Sequence, residues 1–318
     1  MTKVLANDGI SQIGINTLKS AGFEVITQKV AQEQLANVIN EKDISVLLVR
    51  SATTARKELI DACPNLKMIG RGGVGMDNID VDYAKSKGLE VVNTPAASSE
   101  SVAELVFSHL FNMVRFVYDS NRQMPLEGDS KFKELKKAYS KGTELKGKTL
   151  GIIGFGKIGQ EVAKRAIGLG MRVIANDKFI KNATVELNFF DGQTANFDIK
   201  TVSFDDVLKE SDYITLHIPK LSDKAVIGEE EIEMMKDGVG IVNAARGGVI
   251  DEDALMNALD SGKISSAGLD VFKNEPKPQI KLLMQSNVSL TPHIGAATNE
   301  AQDRIGKELA DKIVSYFN

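Results

Sequence analysis

The sequence predicts an α/β fold built on parallel sheets, and three observations carry that prediction. Short apolar runs of strand length alternate with amphipathic stretches of helical length along most of the chain, the pattern of a parallel sheet covered on both faces. At 318 residues the chain is long enough for about two domains, each with its own core. A glycine turn, Gly154-Phe155-Gly156-Lys157-Ile158-Gly159, opens a helix directly after an apolar run almost halfway along. One α/β domain therefore precedes it.

Residues 4–6, 24–26, 46–49, 68–69 and 91–92 read as five short strands, and 13–21, 32–41, 57–63 and 81–87 as helices between them. Ser98-Ser99-Glu100-Ser101 is rich in capping residues and starts a long apolar helix over 102–118. A helix this apolar is expected between domains or between subunits. The segment 131–148 holds seven lysines and two glutamates and reads as a solvated, mobile connection. Strands resume at 150–153, 171–175, 213–218, 239–243, 267–271 and 288–290. The last helix, 299–317, has no strand left to follow and is expected to return to the first domain. One stretch breaks the rhythm: Val185, Leu187 and Phe189 alternate before Asp191-Gly192, and Ala195, Phe197 and Ile199 alternate after it, the pattern of a β-hairpin.

Composition excludes several classes. A formal charge of −4 gives no general attraction to nucleic acid or to an anionic membrane. No apolar run approaches the roughly 20 residues of a membrane span, and no signal peptide is read at Met1 to Gly9. The single cysteine, Cys63, rules out an internal disulfide framework and suits a reducing cytoplasm; it reads as a packed, inert thiol. No metal site is expected.

The glycine turn has the context of a dinucleotide-binding fingerprint. Gly154 serves the tight turn, Gly156 lets the backbone approach a pyrophosphate, and Gly159 lets helix and strand come close. The helix start at Lys157 and Ile158 offers free N–H groups and a positive dipole end to phosphates. Asp177, separated from Gly159 by seventeen residues, ends the next strand, where it can accept from ribose hydroxyls and repel a 2′-phosphate. The expected cofactor is NAD rather than NADP, although Lys178 next door moderates that preference. The hairpin then reads as an insertion near the adenine end of this site, or as a surface flap.

Three later motifs supply chemistry. Arg246 lies in Asn243-Ala244-Ala245-Arg246-Gly247-Gly248, Glu275 in Phe272-Lys273-Asn274-Glu275-Pro276, and His293 in Pro292-His293-Ile294-Gly295-Ala296-Ala297-Thr298. Singly these read as a salt-bridge residue, a loop residue and a turn. Each follows a predicted strand, so all three can converge on one edge of a sheet where ligands bind.

Together with the fingerprint, these motifs resemble the D-isomer-specific 2-hydroxyacid dehydrogenases. Val49-Arg50-Ser51-Ala52-Thr53, the run Gly70 to Asp80, Asn93-Thr94-Pro95 and the run Gly142 to Gly151 resemble most the D-3-phosphoglycerate dehydrogenase branch. The resemblance implies two parallel-sheet domains of Rossmann-like or flavodoxin-like type. An NAD-binding domain, 100–290, interrupts a substrate domain made of 1–99 and 291–318, with the active site in the cleft. It also implies a homodimer. Catalysis would fall to His293 as acid and base, to Glu275 as the group that fixes its tautomer and favours its charged form, and to Arg246 as the grip on the substrate carboxylate. Asp270 is expected at the nicotinamide amide, Ala244 at the same end, Gly295 among the cofactor contacts, and His217 and Pro219 beside the ribose and phosphates. His109 reads as a satisfied core or interface group.

For the substrate, the resemblance implies contacts from Arg50, Ser51, Arg71 and the turn Gly72-Gly73-Val74-Gly75. Leu135 and Lys137 stand where a Trp and an Arg are common, and Val74 where Thr is common, so this chain departs from the branch in those places. The expected reaction is NAD-dependent oxidation of D-3-phosphoglycerate. The alternatives are a hydroxypyruvate or glyoxylate reductase, and a non-enzymatic NAD-sensing protein like the corepressors that resemble this family. The complete Arg, Glu and His set, and the lack of long low-complexity tails, argue against the sensor. With the chain ending at Asn318, feedback through a C-terminal serine-binding domain is not expected.

Overall fold

The computed structural model describes residues 1–220 and 222–318. In chain order the elements are β1 (Lys3–Ala6), α1 (Gln12–Ser20), β2 (Glu24–Ile26), α2 (Leu35–Glu41), β3 (Val46–Val49), α3 (Lys57–Ala62), β4 (Met68–Arg71), α4 (Val81–Ser86) and β5 (Glu90–Asn93). Three helices follow, α5 (Ser99–Arg115), α6 (Val117–Glu127) and α7 (Phe132–Ala138). Then come β6 (Thr149–Ile153), α8 (Lys157–Gly168), β7 (Arg172–Asn176), β8 (Asn182–Asn188), β9 (Thr194–Lys200), α9 (Phe204–Glu210) and β10 (Tyr213–Leu216). The chain finishes with α10 (Glu229–Met234), β11 (Val239–Asn243), α11 (Glu252–Ser261), β12 (Ile264–Leu269), α12 (Ile280–Leu283), β13 (Val288–Leu290) and α13 (Asn299–Phe317).

The chain divides into two compact units, Met1–Ser101 with Ala296–Asn318, and Val102–Gly295. The division falls a few residues beyond 99 and 290, for packing reasons: Val102 belongs to the apolar core of the second unit, and the stretch after β13 is tied to Asp270.

The first unit holds a five-stranded parallel sheet in the order β2-β1-β3-β4-β5. Alternation along its strands makes two cores. Leu5, Leu47, Val49 and Ile69 face one side; Val4, Val46, Leu48 and Met68 face the other, against Ile305, Leu309 and Ile313 of α13. The C-terminal helix thus returns to the first unit because a strand face needs cover there.

The second unit holds six parallel strands in the order β13-β12-β11-β10-β6-β7, with β8 and β9 as a separate antiparallel pair. The hairpin turns at Asp191-Gly192, where Gly192 has φ +84°. Its buried side chains, Val185 and Ile199, join the core over α8, while Phe189 and Phe190 stay exposed.

Two expectations are corrected. The single helix over 102–118 is broken at Phe116, which has φ 54°. The Val114 carbonyl, which a continuing helix would offer to residue 118, accepts instead from the Thr143 amide at 2.9 Å. The lysine-rich segment 131–148 is not simply a connection, since it contains α7. Leu135 is buried, and Tyr139 Oη donates to Asp119 Oδ2 of α6 at 2.6 Å, which, with some burial, pushes the phenol up to about 12.

Candidate active site

Register brings one row of residues to the carboxyl edge of the second sheet. Asn176 of β7 pairs with Ile153 of β6, and Ile153 with Leu216 of β10. Leu216 then pairs with Asn243 of β11, Asn243 with Leu269 of β12, and Leu269 with Leu290 of β13. The strands end level, so Asp177, Gly154, His217, Ala244, Asp270 and Thr291 stand next along one edge.

Strand order reverses at β6, between β7 and β10, and ligands of open α/β sheets bind in such a crevice. The glycine turn fills it with backbone alone. Gly154 has φ +95°, and a Cβ there would strike the His217 carbonyl. A Cβ on Gly159 would strike the Gly154 carbonyl, so helix and turn approach closely. Around Gly156, by contrast, a Cβ would meet nothing within 4 Å. The first amides of α8, at Lys157 and Ile158, lack intrahelical acceptors. This is a cradle that a pyrophosphate fits.

Asp177 Oδ2 accepts from the Phe155 amide at 2.7 Å, and Oδ1 from Phe179 and Ile180 at 2.8 and 3.0 Å. Burial acts to raise its pKa, but the three amides outweigh it and hold the carboxyl below the usual range. Of roughly four acceptor positions on a carboxylate, about one remains for a ribose hydroxyl. His217 is held through Nε2 by Thr215 Oγ1 at 3.0 Å, whereas its buried Nδ1 has no partner among the described residues. Burial pushes its pKa down to about 3. Ile218 is half-buried and Pro219 exposed beyond it.

The loops after β11, β12 and β13 carry Arg246, Glu275 and His293. Asn243, 3% exposed, clamps the first loop by accepting from the Ala245 amide at 3.0 Å and donating to the Arg246 carbonyl at 2.9 Å. A Cβ on Gly247 would strike the Phe272 carbonyl, so only glycine lets this loop lie against the next. Glu275 Oε1 accepts from the Phe272 amide at 2.9 Å, and Oε2 meets His293 Nδ1 at 2.8 Å. Burial acts to raise the Glu275 pKa, but the His293 hydrogen bond, the Phe272 amide and the charge of Arg246 prevail and leave it below its ordinary value. An ionised carboxylate only accepts. His293 Nδ1 therefore carries the proton, and Nε2 is left as the atom that can take or give one.

His293 itself has φ 55°, a left-handed conformation uncommon for a side-chain-bearing residue and often found at functional sites. Its support is Asp270, 1% exposed, whose Oδ1 accepts from Thr291 Oγ1 at 2.6 Å and from the Ile294 amide at 2.8 Å. Asp270 Oδ2 accepts from the Gly295 amide at 2.8 Å. Sequence reasoning missed this role, and it also missed Glu252. That buried carboxylate accepts through Oε1 from the Lys273 amide at 2.5 Å, in the loop that carries Glu275, and burial raises its pKa. A polar residue directly after an apolar strand was the available signal for Asp270; Glu252 gave none, being one acid among several at a helix start.

Residues 107–295 match the model of the D-isomer specific 2-hydroxyacid dehydrogenase NAD binding domain. The chain belongs to this family. It is 47% identical over 295 residues to a hydroxypyruvate reductase of Thermotoga maritima, covering 92% of this chain and 90% of that one. It is 42% identical over 316 residues to a D-3-phosphoglycerate dehydrogenase of Methanocaldococcus jannaschii, covering 98% of this chain but only 57% of that longer protein. Among solved structures, a glyoxylate reductase from Paecilomyes thermophila superposes with a TM-score of 0.82 at 32% identity, over 100% of this chain and 95% of that one.

This dehydrogenase is thus an NAD-dependent oxidoreductase of small 2-hydroxy acids. Among its described residues no helix is long and apolar enough to cross a membrane, and no cluster of His, Cys, Asp or Glu could hold a metal. In its first unit, the loop after β3 is fixed by Asp8, whose carboxylate accepts from the Arg50 amide at 2.7 Å and from the amide and hydroxyl of Thr53 at 3.0 and 2.7 Å. Ser51 is exposed and Arg50 half-buried. Arg71 ends β4, and its guanidinium lies where a Cβ of Gly73 would be. Gly72 and Gly73 are buried, Gly75 is half-buried, and Val74 is exposed.

Proposed function

We propose that this dehydrogenase interconverts D-3-phosphoglycerate and 3-phosphohydroxypyruvate, with His293 as the proton-transfer group. The 2.8 Å pairing of His293 with Glu275 is the observation that supports the chemistry. When bound, NAD would supply the acceptor for the hydride that leaves the substrate's C2, and NADH the donor in the reverse direction. His293 Nε2 receives the hydroxyl proton in oxidation and gives it back in reduction. Glu275 keeps the ring in the tautomer that leaves Nε2 free and steadies the imidazolium. Arg246 holds the substrate carboxylate, a planar two-point grip that Lys would not reproduce. Gly154, Gly156, Lys157, Ile158 and Gly159 would hold the cofactor's pyrophosphate. Asp177 would hold its adenine ribose, and His217, Pro219, Ala244, Asp270 and Gly295 would border the rest.

Arg50, Ser51, Arg71 and Gly72 to Gly75 supply the remaining substrate contacts. The Arg50 guanidinium makes no hydrogen bond or ion pair among the described residues, and an uncommitted guanidinium suits an anionic group such as a phosphate. A second reading, a hydroxypyruvate reductase, is favoured by the relative from Thermotoga maritima. The two readings differ only in the phosphate. NAD reduction with 3-phosphoglycerate, run beside NADH oxidation with 3-phosphohydroxypyruvate, hydroxypyruvate and glyoxylate, separates them. Turnover of the unphosphorylated acids alone would overturn the first.

A homodimer in the cytoplasm completes the reading. Phe111, Val117, Tyr118, Leu126 and Phe132 are 43–73% exposed on α5 to α7, an apolar surface of the kind that marks subunit contacts. The one cysteine, buried, fits a reducing compartment. Light scattering on the eluting protein tests the dimer; a monomer mass at working concentration would contradict it.

A further inference from the structure

A histidine the reaction does not use sits at the centre of the second unit. His109 lies on α5 among Val106, Leu110 and Met113, all buried, and is itself 1% exposed. A Cβ on Gly268 of β12 would strike the His109 side chain, so the strand leaves a seat for the ring. Both ring nitrogens are engaged: Nδ1 lies 2.8 Å from Ser289 Oγ and Nε2 lies 3.1 Å from Thr291 Oγ1.

Thr291 has one hydroxyl proton, and it goes to Asp270 Oδ1. The Thr291 oxygen must then accept from His109 Nε2–H. Burial pushes the His109 pKa down, with only Asp270 opposing, so the ring is neutral and Nδ1 accepts from the Ser289 hydroxyl. Ser289 Oγ in turn accepts from Asn112 Nδ2 at 3.2 Å. The result is one directed chain, Asn112 to Ser289 to His109 to Thr291 to Asp270. It ends on the carboxylate that accepts the Ile294 and Gly295 amides, the two peptides directly after the left-handed His293. A buried polar chain of this kind is costly if incomplete and fixes geometry when complete; an apolar side chain would fill the seat without that cost.

We propose that His109 is a positioning residue for His293, acting through Thr291 and Asp270 to aim the Asp270 carboxylate at the backbone that holds the imidazole. This rests on the reading of His293 as the proton-transfer group. Without the His109 donor, the Thr291 hydroxyl is free to turn from Asp270, and the His293 loop loses the bond that sets its angle. Misplacement of a reacting group by a fraction of an ångström to an ångström costs up to about a hundredfold in rate.

The test is a steady-state series on whichever acid the wild type turns over best. His109→Leu and the isosteric Thr291→Val are expected to lower kcat about tenfold with KM for the acid changed less than about twofold. His109→Gln keeps a donor near the Nε2 position and Thr291→Ser keeps the hydroxyl; both are expected to stay within about threefold of wild-type kcat. Melting temperatures are recorded for all four. A fall in melting temperature for His109→Leu and Thr291→Val with kcat unchanged would overturn the proposal and leave His109 a structural residue. So would equal losses of kcat in the conservative and the apolar variants. His293→Ala belongs in the same series: retained turnover there would overturn the proton-transfer reading itself, whereas lost turnover with an unaffected Thr291→Val would overturn the positioning proposal alone.

Discussion

The two parallel sheets each have a point where strand order reverses, and they treat it in opposite ways. In the first sheet it lies between β1 and β3, and the chain's own polar groups fill it. Asp8 accepts from the Arg50 amide and twice from Thr53, Asn7 bonds Thr53 and Val30, and Asn78 donates to the Arg50 and Thr53 carbonyls. In the second sheet the reversal lies at β6, and what stands there is a glycine turn with open space around Gly156 and a buried His217 nitrogen without a partner among the described residues. The topological rule locates two crevices. Satisfaction of polar groups distinguishes them: the sealed one holds a loop rigid, and the open one suits the proposed cofactor site.

The contrast can be broken by filling the open crevice. Gly156→Val adds side-chain atoms where the protein has none, so the melting temperature should stay within about 2 °C, while NAD affinity falls about a hundredfold or more, roughly 2.7 kcal/mol. Calorimetric titration checks this, and undiminished affinity would remove the glycine turn from the site. Glu275→Gln, further along the same edge, should lower kcat about thirtyfold and shift the pH profile toward acid, because the amide no longer steadies the imidazolium. Unchanged kinetics would take Glu275 out of the mechanism.

Opening the sealed crevice should do the reverse. Asp8→Ala leaves two amides and a hydroxyl without their acceptor and should cost about 2 kcal/mol of stability by urea unfolding, with NAD affinity unaltered. A weakened NAD affinity at full stability would contradict the division of labour.

The smallest effect concerns pH. His217 and His109 are both pushed down by burial, so the unfolded chain binds protons that the folded chain refuses between about pH 6.5 and His217's lowered value. Stability should therefore fall as pH drops below about 6.5, by up to about 1.4 kcal/mol per pH unit for each histidine. Urea midpoints at pH 7 and 5 should converge in His217→Asn relative to wild type; parallel falls would show that His217 carries none of the dependence.

Much of this was legible in the sequence because it is local. Gly154, Gly156 and Gly159 have a spacing whose physical meaning does not depend on the rest of the chain, and the strand-by-strand alternation of Leu5 with Val4, or Leu47 with Leu48, follows from period two. The helix α13 was legible for a negative reason, having no strand left to cover. What escaped the reading depends on contacts far apart in the chain. Thr143 takes the Val114 carbonyl and ends α5 early, and nothing near Phe116 announces it. Leu135 docks a helix inside a lysine-rich run that composition alone makes look like a linker. Asp270 looked like a cofactor contact, and only the fold shows it also bonded to the loop of His293. His109 lies 180 residues from Ser289, so a lone histidine on an apolar helix gave no sign of the chain it completes.

The most direct measurement is amide hydrogen exchange with and without NAD on the wild-type protein. Protection should rise at Lys157 and Ile158, the first amides of α8. It should stay unchanged at Arg50 and Thr53, whose amides already bond Asp8. New protection at Arg50 and Thr53 with none at Lys157 and Ile158 would contradict the assignment of the open crevice to the cofactor.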